Sequence, residues 1–141
     1  MNIKFTIIAG CLLAFYGTAQ SQSLNLNPGN WKLIVSGEAL GESYYDEESE
    51  CMTPEDATEN VSSLLNEVMA EVGCTIGTIS NTENIYKSDL TCPAETMMTG
   101  GELTMLTSPE AFTLNFEMKS IVSSGEADMF IYMISYRDGP C

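Results

Sequence analysis

The chain has 141 residues, and with 20 acidic residues, five basic residues and no histidine its formal net charge is −15. Affinity for nucleic acids and for anionic lipid surfaces comes from cationic contacts, so this charge argues against both as partners. Because the usual catalytic base of serine and cysteine hydrolases is histidine, the composition also argues against those enzymes. We expect neither an enzyme nor a bound cofactor.

Residues 1–19 have the pattern of a cleaved signal peptide. Lys4 gives a positively charged start, residues 5–15 are almost wholly apolar, and Gly17-Thr18-Ala19 supplies the small residues that signal peptidase reads. The apolar run is shorter than the roughly 20 residues of a membrane-spanning helix. We therefore predict a periplasmic or secreted protein with no integral membrane segment after cleavage. Lipidation of Cys11, in a loose lipoprotein box, is a less favoured alternative.

Residues 20–141 are predicted to form one domain, because about 120 residues suit a single core. Lys4 is the only charged residue before position 20, so this domain has four basic and 20 acidic residues and a net charge of −16. Its first predicted strand, residues 31–39, follows a turn at Pro28-Gly29. The acidic stretch 42–50 then fits either a short edge strand or an exposed loop.

One amphipathic helix is predicted over residues 54–72. Thr53 offers an N-cap hydroxyl, Pro54 suits the first helical position, and the two acids that follow favour the positive end of the helix dipole. Apolar residues recur at steps of three and four and form one stripe, which comprises Ala57, Val61, Leu64, Leu65, Val68, Met69 and Val72. Gly73 ends the helix. The stripe must pack on the sheet.

Four cysteines follow the leader, and an even number in an exported chain predicts two disulfides. If residues 74–80 and 84–92 form a hairpin that turns near Glu83, the register sets these pairs opposite each other: Cys74 with Cys92, Ile76 with Leu90, and Thr78 with Ser88. Cys51 then pairs with Cys141 by exclusion. Zinc binding is disfavoured, since the spacings contain no Cys-x-x-Cys pair and the chain has no histidine.

Three further strands, residues 98–107, 110–119 and 126–136, are predicted to form a meander with turn-like residues between them. Residues 129–134 are apolar on both faces, which indicates a central strand. Its second apolar face must be covered by something. The sheet could close into a small barrel, another copy of the chain could contact this face, or an apolar ligand could bind there. The predicted fold class is α+β and mostly β, with a curved antiparallel sheet of about six to seven strands, one amphipathic helix packed on it, and two disulfides.

Methionine and phenylalanine side chains on these strands form a candidate apolar pocket, because methionine suits imprecise ligands. The candidate residues are Met105, Phe112, Phe116, Met118, Met129 and Met133, with Phe130 beside them. Core packing is the favoured interpretation of the same residues. A thioether copper site is less favoured still. The acids at 46, 47, 48 and 50 could bind calcium, but their spacing does not match a calcium loop.

Six landmarks follow one another along residues 28–141: Pro28-Gly29-Asn30-Trp31, Cys51-Met52-Thr53-Pro54-Glu55-Asp56, Cys74, Thr91-Cys92, Met98-Thr99-Gly100-Gly101-Glu102 and Gly139-Pro140-Cys141. In this order they resemble the bacterial family called domain of unknown function 3617. The resemblance implies an exported bacterial domain with four cysteines, and it implies no activity and no functional residues. The segment between Cys51 and Cys74 is predicted to be a longer and more regular helix than the resemblance leads us to expect.

The leading functional hypothesis is an envelope or secreted module that binds an apolar small molecule or a partner protein. It rests on the excess of apolar faces, on export, and on the lack of catalytic groups. One alternative is a structural or stress-related interaction protein whose acidic surface, including stretch 42–50, meets a cationic partner. A hydrolase that uses carboxylates alone is the least favoured alternative, because it requires two acids converging in a cleft.

Overall fold

A computed structural model describes residues 22–141, so the predicted signal peptide at residues 1–19 and Cys11 lie outside the described residues. The described part contains eight strands and one α-helix, namely β1 (Gly29–Ala39), β2 (Glu42–Met52), α1 (Val61–Glu71), β3 (Thr75–Ile76), β4 (Ser80–Thr82), β5 (Ile85–Thr91), β6 (Met98–Ser108), β7 (Ala111–Val122) and β8 (Gly125–Gly139). Short 3-10 turns occupy Asp56–Thr58 and Ala94–Thr96. The predicted fold class, mostly β with one helix, is confirmed.

All eight strands belong to one antiparallel sheet, in the order β2-β1-β8-β7-β6-β5-β3, with β4 also paired to β5. Strands β5 to β8 form the expected meander. The first hairpin, β1 and β2, continues the sheet beyond β8, because β1 pairs with β8 along most of its length. The sheet is open, so closure into a barrel is excluded as the cover for the second face of residues 129–134. Stretch 42–50 is an edge strand and not a loop.

Helix α1 covers one face of the sheet, called here the inner face. Alternation along β7 sends Leu114, Phe116 and Met118 to this face and Glu117 and Lys119 to the opposite, outer face. The largest fully buried side chains come from both layers and are Phe116, Leu65, Met69, Leu103, Met105, Leu114 and Val61. Full burial of such a side chain contributes about 1.5–3 kcal/mol. The core is therefore the layer between α1 and β5 to β8.

The predicted helix 54–72 is wrong in its first half, because the chain breaks before α1. After the 3-10 turn, Glu59 and Asn60 are extended, with ψ of 150° and 127°. The Glu59 carbonyl accepts a hydrogen bond from Leu24 N–H (2.9 Å). The Asn60 side chain accepts from the N–H groups of Ser62 (2.9 Å) and Ser63 (3.2 Å). The chain therefore leaves the helical conformation at Glu59 and Asn60, although the apolar residues keep a helical spacing there. The causes are the hydrogen bonds to the N-terminal segment and the strong N-cap residue Asn60.

The predicted helix end at Gly73 is confirmed. Gly73 has φ of +76°, a conformation that costs glycine little. Its N–H donates to the Ala70 carbonyl (3.1 Å), and the Cys74 N–H donates to the Met69 carbonyl (3.0 Å). These two bonds are the Schellman motif, which satisfies carbonyls at the helix end and turns the chain toward β3.

The hairpin after α1 follows the predicted register for only part of its length. Ile76 lies opposite Leu90 as predicted, but Ser80 pairs with Lys87, so one extra residue has entered the first arm. The Gly77 N–H bonds to the Asp89 carbonyl (2.9 Å) inside this bulge. The predicted pairing of Thr78 with Ser88 is therefore wrong.

Two disulfides join Cys74 to Cys92 and Cys51 to Cys141, with Cα–Cα distances of 4.4 and 5.6 Å. The first closes the hairpin of β3 and β5, and the second attaches the end of the chain to the end of β2. Disulfides persist in oxidising compartments, so both bonds indicate a location outside the cytoplasm. Within residues 22–141, no helix has the length and apolar character needed to cross a membrane.

Candidate functional site

The six residues of the predicted apolar pocket all face the inner side of the sheet, but they do not form an open cavity together. Met105 and Phe116 are 0% exposed, and Met118 and Met129 are nearly as buried, so these side chains fill the core. Met133 and Phe112 are partly buried beside them. Phe130 points to the opposite face and is 47% exposed. Phe112 alone of these residues borders a groove between β1, β2 and α1.

A groove with a volume of about 420 Å³ lies between the inner face of β1 and β2 and the first turns of α1. Its lining residues come from β1, β2, the segment before α1, α1 itself, β7 and β8, and are Trp31, Leu33, Glu48, Glu50, Cys51, Met52, Asp56, Glu59, Leu64, Glu67, Phe112 and Ser135. Ligand pockets commonly measure about 300–1,000 Å³. The groove is therefore large enough for a small organic molecule.

Two aromatic rings form the fixed floor of the groove. Trp31 is 3% exposed, and its indole N–H donates to the Asn27 carbonyl (2.9 Å). Its ring stacks on Phe112, with ring centroids 6.1 Å apart and an angle of 28° between the planes. Leu33 and Leu64 add aliphatic surface. This floor is apolar, and burial together with the hydrogen bond to Asn27 holds the indole in one orientation.

Five carboxylates surround the floor. Glu48 and Glu50 come from β2, where they lie opposite Leu33 and Trp31, and the other three come from the 3-10 turn, the break and α1. The Asp56 carboxylate accepts from the Thr53 hydroxyl (2.6 Å) and the Thr53 N–H (2.9 Å). These hydrogen bonds hold the pKa of Asp56 below its ordinary value, so Asp56 stays ionised.

Positive charge is directed away from this groove. Of the four basic residues in the described part of the chain, none lines it. Lys32 lies on the opposite side of β1 and pairs with Glu47, while Lys119 and Arg137 pair with acids elsewhere. The groove therefore combines an apolar floor with uncompensated negative charge, which suits a positively charged organic ligand.

The acids of stretch 42–50 do not converge on one point. Asp46, Glu48 and Glu50 point to the inner face, whereas Glu47 points to the outer face and accepts from the Tyr45 hydroxyl (2.9 Å). Across residues 22–141, no three acidic or cysteine side chains are arranged to hold a metal ion. The strand geometry thus explains why this run of acids does not have the form of a calcium loop.

The outer face of β8 carries the second apolar face that the sequence indicated. Phe130 and Tyr132 are 47% and 43% exposed there, and Ile134 lies between Ile34 and Thr113 in the same face. A shallow depression beside Phe130 contains Glu102, Glu117 and Lys119 among its lining residues. Because its charges have both signs, this depression discriminates less than the groove between positively and negatively charged ligands.

A family model described as protein of unknown function (DUF3617) matches residues 26–141. The match spans the whole sheet, α1 and both disulfides. The chain belongs to the DUF3617 family. The resemblance inferred from the ordered landmarks is thus confirmed. No curated protein and no solved structure matches the chain.

In this DUF3617 domain, the groove was not predicted from the sequence, although two of its signals were visible. The acids at 48 and 50 alternate as strand residues on one face do, and Leu64 and Glu67 are one helical turn apart. The pairing of β1 with β8 could not be predicted from the sequence. This pairing brings Trp31 beside Phe112. The aromatic floor depends on that long-range pairing.

Proposed function

We propose that the domain is a non-enzymatic binding module of the bacterial periplasm or secreted fraction, and that the groove between β1, β2 and α1 binds an amphipathic cation. The observation that carries the proposal is an ordered aromatic floor, Trp31 on Phe112, bordered by five carboxylates and by no basic residue of the described part. The leading hypothesis from the sequence was an apolar small molecule or a partner protein, with a cationic partner for the acidic surface as an alternative. The acidic border narrows the ligand to an apolar body that carries positive charge.

Both parts of such a ligand gain free energy in this groove. The apolar body gains about 25 cal/mol for each Å² of apolar surface removed from water. A positive group over the exposed part of the Phe112 ring gains about 0.5–2 kcal/mol, depending on how far it is desolvated. Each exposed carboxylate adds about 0.2–1 kcal/mol, because solvent screens the pair. Shape and apolar contact therefore provide most of the affinity, and the carboxylates select the sign of the charge.

Trp31 is the only tryptophan of the chain, so its fluorescence reports on the groove directly. We would titrate the purified domain with octyltrimethylammonium below its micelle concentration, and measure both the fluorescence and the heat of binding. The matched probe is octyl sulfate, which has the same chain length and the opposite charge. We expect a saturable response to the cation and none to the anion.

Two paired variants separate the groove from the general acidity of the domain. Glu59→Gln with Glu67→Gln removes two charges from the groove and should weaken binding of the cation about 3- to 10-fold, if each carboxylate contributes as exposed pairs do. Glu102→Gln with Glu117→Gln removes the same charge from the outer face and should leave the affinity unchanged. Equal weakening by both variants, or binding of octyl sulfate as tight as that of the cation, would contradict the proposed site.

A further inference from the structure

Strand β2 is a long free edge of the sheet. It pairs with β1 along all eleven residues, Glu42–Met52, and no described strand pairs with its other side. The opposite end of the sheet consists of β3 and β4, which have two and three residues and are separated by a bulge. An unpaired edge presents backbone N–H and C=O groups that can pair with another extended chain.

The turn that leads into β2 fixes which backbone groups face outward. Leu40 and Gly41 form a two-residue turn with φ of 57° and 79°, so the closing pair is Ala39 with Glu42. That closing pair is hydrogen-bonded, and bonded pairs alternate along an antiparallel ladder. Even-numbered residues of β2 therefore bond to β1, and residues 43, 45, 47, 49 and 51 point their N–H groups outward. The Glu47 N–H indeed donates to the Asp46 carboxylate (2.9 Å).

Carboxylates line one side of this edge at strand spacing. Glu42, Asp46, Glu48 and Glu50 project to the inner face, and their partners on β1 are Ala39, Val35, Leu33 and Trp31. Within residues 22–141 none of these four acids takes part in an ion pair, whereas Glu47 on the outer face is paired with Lys32. The inner side of the edge is therefore strongly negative, and the outer side is nearly neutral.

We propose that β2 binds an extended segment of another protein, and that this segment adds to the sheet as a strand with lysine or arginine at alternating positions on the inner side. Backbone pairing would supply affinity, and the alternating acids would supply selectivity. Two copies of β2 would set acids opposite acids, which disfavours pairing between copies of this chain. The inference does not depend on the groove, although Glu48 and Glu50 border both surfaces.

The test uses a synthetic nine-residue peptide of alternating lysine and threonine, with a peptide of alternating glutamate and threonine as its control. Calorimetry should show binding of the lysine peptide only. Hydrogen exchange of the bound domain should then slow at least 10-fold at the amides of residues 43, 45 and 49. Binding of the lysine peptide without protection of these amides would overturn the proposal, since the peptide would then be held by charge alone.

Ser49→Pro removes an outward N–H and keeps the ladder to β1, because proline is tolerated on edge strands. We expect it to weaken peptide binding at least 10-fold, and Ser49→Ala, which keeps the N–H, to leave binding unchanged. Circular dichroism and the melting temperature check that the proline variant is folded. If it is not, Glu42→Gln with Asp46→Asn is the decisive variant, with an expected loss of 3- to 10-fold. Unchanged binding in the decisive variant would overturn the proposal.

Two controls separate this surface from other occupants. Glu59→Gln with Glu67→Gln alters the groove and should leave peptide binding unchanged, so the two proposals can fail independently. Analytical ultracentrifugation of the domain alone should show a monomer. A dimer whose β2 amides are protected would identify a second copy as the occupant of the edge, and would overturn the assignment to a basic partner.

Discussion

The two disulfides close loops of very different length, and this makes the source of their stabilisation measurable. Cys51 and Cys141 are 90 residues apart, whereas Cys74 and Cys92 are 18 apart. Restriction of the unfolded chain stabilises a protein by about 4.5 kcal/mol for the longer loop and about 3 kcal/mol for the shorter one in the chain-entropy model. Replacing the first pair by alanine should therefore lower the free energy of unfolding by about 1 to 1.5 kcal/mol more than replacing the second.

Packing in the folded state predicts the opposite order. Cys74 is 3% exposed and belongs to the core, whereas Cys51 and Cys141 are exposed. Removing a buried sulfur leaves unfilled space and forfeits contacts, which adds a cost to the Cys74 and Cys92 variant alone. The two mechanisms can therefore be distinguished by which variant is less stable.

The assay is urea unfolding of the two double variants and of the parent domain under non-reducing conditions. Free energies come from the transition midpoints and slopes, and a changed slope would reveal a change in the compactness of the unfolded chain. We expect the variant that lacks Cys51 and Cys141 to be the less stable of the two. If Cys74→Ala with Cys92→Ala is the less stable variant, folded-state packing and not unfolded-chain entropy dominates, and the reasoning is refuted.

Two further predictions concern the chain before α1. Asn60→Ala removes the acceptor for the Ser62 and Ser63 N–H groups and should cost about 1 kcal/mol in urea unfolding. Asn60→Asp keeps the acceptor and should cost little, so equal losses would contradict the capping role. The lowered pKa of Asp56 contributes stability that is present above the ordinary carboxyl pKa of about 4, and this stability is lost as the pH falls from there through the lower pKa of the folded state. Thr53→Val should therefore flatten the dependence of the urea midpoint on pH between about 5 and 2, and an unchanged slope would contradict the assigned bond.

The strands could be predicted from the sequence where one face of the strand is exposed to solvent and the other is buried. In β7 the alternation of Leu114 and Phe116 with Asn115 and Glu117 gives a period of two, and the structure keeps that alternation on the two faces. The disulfide pairing was predictable for a related reason, because the register that aligns the apolar pair Ile76 and Leu90 also aligns the cysteines. In both cases the information is local and repeated along the chain.

The break before α1 was not predictable from the apolar period, because its cause is distant in the sequence. Residues 22–26 run beside the break, and the Leu26 N–H donates to the Ala57 carbonyl (2.9 Å). These bonds compete with helical bonds for the same carbonyl groups. The groove is harder to predict for the same reason, since it needs both this break and the pairing of β1 with β8. Local patterns do not encode which distant segments meet.

The proposed function gives the acids of β2 a role beyond solubility, which requires only that charge be exposed. Glu48 and Glu50 lie opposite Leu33 and Trp31, beside an apolar floor and next to three further carboxylates. Both side chains are exposed, so solvent screens their mutual repulsion as well as their attraction to a cation, and each such pair contributes about 0.2–1 kcal/mol. The proposed site for positively charged ligands would explain both the position of these acids and the absence of basic residues from the described lining of the groove.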